Sequence, residues 1–526
     1  MPPRERYFNT TGPCNPREHY MLPPERRLGR AMELIERARY FTLAAGRQTG
    51  KTTSLRWIVA HDRSAGTRFT LLVDLESARE DPQVATAMRS VLNAFDRSLA
   101  VYAPDLARPD LAVVEQWLRN PTDAVIRYVR AICDASSRPL VLLLDEVDGL
   151  VGAAMVSLLT QLRELHLARE DAPAPASVAL VGMRAIRDYA LAQEDRRAVS
   201  WLGTTSPFNV SAELVTLAAF TRDEVGELLG QHTAATGQRF EDAAIERVWF
   251  LSQGQPWLVN ALADYAVDRL ERDRAKPITA AHIESAKEAM ILDRRTHIDS
   301  LVARLREERV RRVLDPMLAG ETATGDSLDD DFAYVAGLGL IREARGRWVV
   351  ANAIYREVIP RALTFARQTQ LPHETAWYVG ADAQLDVPKL MGAWQTFWRK
   401  DGHLAAEGFA YKESGPHLVL MAFLQRVVNG GGRVEREYAL GKGALDLLIE
   451  WRAGAEVQRV AIEVKLRRDT ETEEEALDQV RGYLEALGLK EGWLVMFDLR
   501  STMPWSERLF VRVRMVDGYL VHVVGC

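Results

Sequence analysis

Apolar residues fall along this chain in two distinct rhythms, and the change from one to the other divides it. From Glu25 the spacing is helical, and residues 40–45 then form a short, uninterrupted apolar run. A glycine-rich polar turn follows, and helical spacing resumes through His61. Further apolar runs lie at 69–75, 140–144 and 178–181, separated by helical patterns that reach about Ser137 and about Arg169. Strands without polar alternation are buried on both faces, and their alternation with helices predicts an α/β parallel sheet.

After Phe220 the strand signals fade. Thr221-Arg222-Asp223-Glu224 reads as a helix start whose side chains can cap the first turn, and a small helical lid follows. Residues 278–364 are mainly helical, with strand signals at Leu340-Ile341 and Trp348-Val349-Val350, which predicts a winged-helix-like module. A polar stretch around Pro372 is a linker. Beyond Gly432 the period switches to two: the runs 434–451, 460–466 and 493–497 read as strands, with a helix at 473–487 between the last two. The expected division is an N-terminal arm (1–24), a sheet core (25–219), a helical lid (220–277), the winged-helix-like module (278–365), a linker (366–400) and a second α/β domain (401–526).

Composition narrows the function classes. With 526 residues the chain exceeds what one hydrophobic core supports. A net charge of −6 argues against a protein that coats nucleic acid over its whole surface, although a local basic patch is compatible with it. Cys14, Cys133 and Cys526 have neither disulfide-framework nor metal-ligand spacing, as expected in a reducing compartment. The first twenty residues are polar, and no run of about 18 apolar residues occurs. A cytoplasmic protein without membrane contact is the expectation.

The turn after the first apolar run carries the strongest local chemistry. Gly46-Arg47-Gln48-Thr49-Gly50-Lys51-Thr52-Thr53 lies between a strand and a helix, where backbone N–H groups and the helix dipole favour a phosphate. Lys51 would meet the β- and γ-phosphates, and Thr52 would offer a hydroxyl to Mg2+. The usual spacing has a glycine where this chain has Ala45, with Gly46 one place later. At the end of 140–144 stand Asp145, suited to Mg2+, and Glu146, suited to orienting or deprotonating water. An acidic pair capping a strand, or a glycine turn before a helix, is common when met alone; both in this order point to ATP and Mg2+.

These segments resemble the P-loop ATPases of the AAA+/STAND type, over roughly residues 5–365. The resemblance extends to the lead-in Tyr7-Phe8-Asn9-Thr10 through His19-Tyr20, to Val181-Gly182-Met183-Arg184, to Gly254-Gln255-Pro256-Trp257-Leu258, and to Ala351-Asn352-Ala353-Ile354-Tyr355-Arg356-Glu357. It implies that Arg184 senses the γ-phosphate, although an ordinary strand-end arginine fits that position equally. It further implies that Pro256 packs near the nucleotide, that ATP promotes a homo-oligomer, and that Arg187, Arg196 or Arg197 is a weaker candidate for an arginine acting on a neighbouring subunit.

A second set of chemically loaded residues lies near the C-terminus. Glu413 opens a helical segment that contains His417, and Asp446 interrupts the apolar Leu445 to Ile449. Glu463 and Lys465, two apart on a strand, project from one face. Gln479 and Tyr483, four apart, share a helix face. Two carboxylates suit Mg2+, and a lysine suits a water nucleophile or developing negative charge. Charges alternating on a strand are more often its wet face, and Asp446 is harder to explain that way. The combination resembles the PD-(D/E)xK nuclease superfamily, a restriction-endonuclease-like fold, from about Gly402 onward. That resemblance implies metal-dependent phosphodiester cleavage with nucleic acid, chiefly DNA, as partner, and defence or mobile-element biology as a setting. The competing expectations are a signalling or scaffold ATPase whose C-terminal domain only binds nucleic acid or protein, and a loader-like ATPase that contacts DNA through the winged helix.

Overall fold

The computed structural model describes residues 5–46, 48–182, 211–292, 304–305, 307–318, 330–344, 346–359, 378–380, 382–402, 416–417, 419–421, 423–424, 432–440, 443–453, 456–466, 471–498 and 504–526. Two units divide the chain: residues 1–297 with 325–342, and residues 298–324 with 343–526. Among the described residues no helix is long and apolar enough to cross a membrane.

In the first unit, β1 (Tyr40–Ala44), β2 (Phe69–Asp74), β3 (Leu140–Asp145), β4 (Ser177–Gly182) and β5 (Ser211–Thr216) form one parallel sheet in the order β2-β3-β4-β1-β5. Alternate residues of β1 to β4 feed opposite cores. Leu142, Leu144, Val178 and Leu180 pack with α3 (Val84–Tyr102), α5 (Ala124–Ala135) and α6 (Gly152–Leu167). Val141, Leu143, Ala179 and Val181 pack with α1 (Glu25–Glu36) and α2 (Lys51–Ala65). A short helix, α4 (Leu111–Trp117), lies between α3 and α5 in the chain. Burial on both faces is why these strands read as unbroken apolar runs.

Three helices follow the sheet: α7 (Arg222–Thr236), α8 (Asp242–Ser252) and α9 (Pro256–Tyr265). Thr221 and Glu224 form the reciprocal cap at the start of α7 that their spacing predicts. Gly254 is sterically fixed. Its φ is +75°, and a Cβ there would lie 1.9 Å from the Phe220 carbonyl oxygen. Its own carbonyl accepts the Phe220 N–H at 2.9 Å. Gly254→Ala is therefore expected to destabilise this lid by roughly 2 kcal/mol or more through backbone displacement. Thermal melting of the variant beside wild type measures the loss.

The N-terminal arm is packed. Phe8 and Tyr20 are buried, and the Trp257 Nε1–H donates to the Thr10 carbonyl at 2.8 Å. Further along the chain come α10 (Ala280–Leu292), α11 (Glu308–Leu318), α12 (Asp330–Gly337) and the two-stranded pair β6 (Ile341–Ala344) and β7 (Arg347–Val350).

The second unit contains α13 (Val387–Phe397) and a six-stranded mixed sheet built from β8 (Gly432–Leu440), β9 (Gly443–Ala453), β10 (Glu456–Leu466), β11 (Glu491–Phe497), β12 (Phe510–Val516) and β13 (Tyr519–Gly525). The order is β12-β13-β11-β10-β9-β8; β10-β11-β13 are mutually parallel and the remaining pairs are antiparallel. The run 434–451, which reads as one strand, is instead two antiparallel strands, β8 and β9. One face of the sheet packs on α14 (Glu471–Leu487) through Leu448, Ala461, Leu494, Met496 and Val523. Toward the other face Trp394 meets Phe497, with 6.1 Å between ring centroids. A last short helix, α15 (Trp505–Arg508), precedes β12.

Candidate functional site

In the first unit the site lies at the carboxyl ends of β1 and β3. Leaving β1, the chain turns through Gly46, whose carbonyl accepts the Thr49 hydroxyl at 2.8 Å. Gly50, at φ +87°, then starts α2. A side chain at that φ is strained, which is the physical reason for glycine here. Lys51 and Thr52 thus occupy the first turn of α2, where free N–H groups face outward.

Lys51 is nearly enclosed. Its Nζ lies 2.9 Å from Asp145 Oδ1 and 2.8 Å from Glu146 Oε1. Burial pulls the ammonium toward neutrality, but the two carboxylates outweigh it and leave the lysine pKa raised. Asp145 is also raised, chiefly by burial, with Lys51 opposing and Glu146 adding to the rise. The two directions are compatible: Lys51 meets both acids and Arg79 meets Glu146 as well, so the lysine is held firmly while Asp145 is the less compensated acid. Its carboxylate is a group that could hold a divalent cation.

Glu146 is placed by strain. Its φ of +56° is left-handed for a residue with a Cβ, at a cost on the order of 1–3 kcal/mol. That geometry directs one carboxylate oxygen to Lys51 and the other to Arg79 Nη2, 3.1 Å away. Arg79 follows β2 and carries no motif, so sequence reading passes over it. A cavity of about 620 Å3 opens beside Thr52 and Asp145 and continues past Asp74, Arg56 and Arg97.

Three other elements reach the loop. The Thr53 hydroxyl accepts the Cys14 N–H at 2.9 Å, which ties the arm to α2. Gln255 Nε2 donates to the Gln48 carbonyl at 3.5 Å, so Pro256, buried as the first residue of α9, lies one residue from a contact with the loop. Arg27 on α1 donates to Thr49 O at 2.9 Å and to Ala218 O at 2.7 Å. Burial pushes its guanidinium down to about 10, and its Nη2 is buried without a hydrogen-bond partner among the described residues. Only its distance in sequence from the loop hid Arg27 from motif reading. Arg184, with Arg187, Arg196 and Arg197, lies outside the described residues.

In the second unit, Asp446 and Glu463 lie one step past the paired residues Leu447 and Ile462 of β9 and β10. The Val464 N–H donates to Asp446 Oδ2 at 2.8 Å, and Lys465 Nζ lies 2.8 Å from Glu463 Oε1. Glu463 is only 2% exposed. Burial first, and Asp446 second, push its pKa up to about 7 despite Lys465. Lys465 is lowered by burial but raised on balance by Glu463 and Asp446, with Tyr483 contributing. Tyr483 is half-buried against the α14 core, and Gln479 is exposed one turn away. Glu413 lies outside the described residues. Among the described residues no three His, Cys, Asp or Glu side chains converge as a metal cage, so Asp446 and Glu463 are the two oxygen donors on hand.

Comparison with known proteins follows this division. Residues 35–189 match a family model described as an AAA domain, and residues 389–501 match one described as a domain of unknown function (DUF8371). No curated protein matches the chain. Among solved structures, the Walker-type ATPase PABY2304 of Pyrococcus abyssi aligns with 67% of this chain and 99% of its own, at 16% identity and a TM-score of 0.46. The Thermotoga maritima RuvB Holliday junction branch migration motor aligns with 64% of this chain and 93% of its own, at 17% identity and a TM-score of 0.32. Cdc6p from Pyrobaculum aerophilum aligns with 65% and 92%, at 13% identity and a TM-score of 0.31. The stretch that matches the AAA domain lies within the first unit.

Proposed function

We propose that the AAA domain binds and hydrolyses Mg2+-ATP, and that this controls a C-terminal domain that cleaves phosphodiester bonds in nucleic acid, DNA in the first instance, with Mg2+. The observation that carries the reading is the recurrence, in two separate cores, of one arrangement: a lysine ion-paired to a carboxylate with a second carboxylate close by, at strand ends or along strands. Each offers oxygen donors that fit an oxygen-seeking divalent cation.

For ATP, Lys51 would give up its carboxylates to a phosphate, and Thr52 and Asp145 would hold the ion. Bound Mg2+ offsets phosphate charge. Glu146, fixed by its backbone and by Arg79, is the group suited to take a proton from water. Glu146→Gln is expected to keep ATP affinity within a few-fold while slowing hydrolysis by about 10²-fold or more. Phosphate release measured beside nucleotide titration checks both; equal turnover in the variant removes Glu146 from the role of base.

In the second unit Asp446 and Glu463 would hold the ion, and Lys465 would steady the attacking water or the charge growing on phosphorus. We further propose a homo-oligomer promoted by ATP, because a site at the carboxyl end of a sheet can take an arginine from a neighbour. Full-length protein incubated with single- and double-stranded DNA and with RNA, with Mg2+ or Mn2+ and with or without ATP, tests cleavage. Cutting that is lost in Asp446→Ala supports the reading. Cutting that survives it assigns the activity elsewhere, and binding without cutting favours a nucleic-acid-binding module under ATP control.

A further inference from the structure

We propose that the edge of the second sheet that shares a face and a sheet end with the Asp446–Glu463–Lys465 cluster is the surface that holds the nucleic-acid strand, through Arg508 and Arg512 held over the rings of Trp505 and Phe510. The inference rests on the nucleic-acid reading above and assigns the place of substrate contact.

Register locates the surface. Glu463 pairs with Leu494, Leu494 with Val523, and Val523 with Arg512. One step along, Lys465 leads by the same route through Met496 and Gly525 to Phe510. Residues in register project from the same face, so Arg512 and Phe510 share a face and a sheet end with Glu463 and Lys465. Three strand spacings separate them, roughly 14 Å. Leu494 and Val523 between them are buried under α14, so a strand joining edge to cluster follows the sheet end that Lys465 and Phe510 share.

The chemistry at the edge suits such a strand. The Arg512 guanidinium lies 4.2 Å from the Phe510 ring centroid, and that of Arg508 lies 5.1 Å from Trp505. A guanidinium held over an aromatic ring is restricted in place and can offer N–H groups to phosphate oxygens, and the ring can offer a surface to a base. The third arginine of this edge, Arg514, is committed differently: it meets Glu473 and Glu474 at 3.4 and 2.8 Å. That pairing offsets part of the negative charge at the acidic start of α14. Arg512 is exposed and, among the described residues, has no carboxylate at ion-pair distance. The overall charge of −6 then matters little, because contact is set by a local patch.

The test is binding of a labelled single-stranded oligonucleotide, and of its duplex, to the full chain in EDTA, so that cleavage does not enter. The Arg508→Ala/Arg512→Ala variant is expected to bind single strands about ten-fold more weakly at low salt. Its log–log salt slope is expected to be shallower by about 1.4 on single strands, two lost contacts at about 0.7 each. Arg508→Lys/Arg512→Lys is expected to keep the wild-type slope and to recover only part of the affinity. Unchanged ATP turnover and melting temperature establish that the variants fold. Equal binding by wild type and the alanine variant overturns the proposal, as does a wild-type protein that binds neither probe. Arginine-dependent binding without cleavage in Mg2+ keeps this surface and removes the nuclease reading. Cleavage that is indifferent to both arginines does the reverse.

Discussion

Lys51→Ala is expected to abolish ATP binding at micromolar nucleotide and, in the same variant, to lower the stability of the nucleotide-free protein. The first effect follows from losing a charge-assisted phosphate contact. The second follows from what Lys51 touches: without it Asp145 is left buried beside Glu146 with no cation. Removing one partner of a buried ion pair costs roughly 3–5 kcal/mol, although protonation of the raised Asp145 relieves part of it. A second substitution separates the two effects. Lys51→Ala/Asp145→Asn is expected to regain much of the melting temperature while still failing to bind ATP. The same logic makes Mg2+ and ATP cooperative, since a lysine drawn to phosphate leaves two acids that the ion must satisfy. Calorimetry with ATP in EDTA, with ATP and Mg2+, and with each variant reads all of this. Full ATP affinity in Lys51→Ala contradicts the assignment of the loop.

The parallel sheet was legible because burial on both faces removes polar residues from its strands, leaving runs such as Leu140 to Leu144 that have no other reading. The site was legible where motif and strand end coincide, at Lys51, Thr52, Asp145 and Glu146. Arg27 and Arg79 were not, because their roles arise from packing between elements far apart in sequence, and an arginine in a polar stretch looks like any solvated one. The strands β8 and β9 were misread as one because period-two patterning continues through both; Gly441 and Gly443 were the turn signal available. The β12–β13 hairpin went unread although Asp517-Gly518 supplies two consecutive left-handed residues, with φ of +48° and +85°. Its strand β12 alternates valine with arginine and so resembles a polar loop. That same alternation puts Arg512 on the face of Glu463.

Glu463→Gln is expected to produce a protein that is more stable than wild type above pH 7 and inactive in Mg2+-dependent cleavage. In the unfolded chain Glu463 ionises near its ordinary value of 4.5, and in the folded chain near 7. Between those values the folded protein holds a proton that the unfolded chain has released. Folding stability therefore falls as pH rises from about 4.5 to about 7, by on the order of 3 kcal/mol at most, and this contribution is level above that range. Glutamine removes the cost because it never ionises, and its amide oxygen can still accept from Lys465. Lys465 is partly exposed and retains Asp446 as an electrostatic neighbour, so it is not left as an isolated buried cation. Asp446→Asn removes one of the two causes that raise Glu463, so it is expected to lower the pH at which the stability loss ends. Urea melts of the three proteins between pH 4 and pH 9, beside Mg2+ titration and cleavage at pH 8, make the comparison. A wild-type profile that matches Glu463→Gln across the range means that the carboxylate bears no burial cost. The argument for a cation held at that position would then lose its physical basis, because only a group strained by its own charge gains this much when a metal arrives.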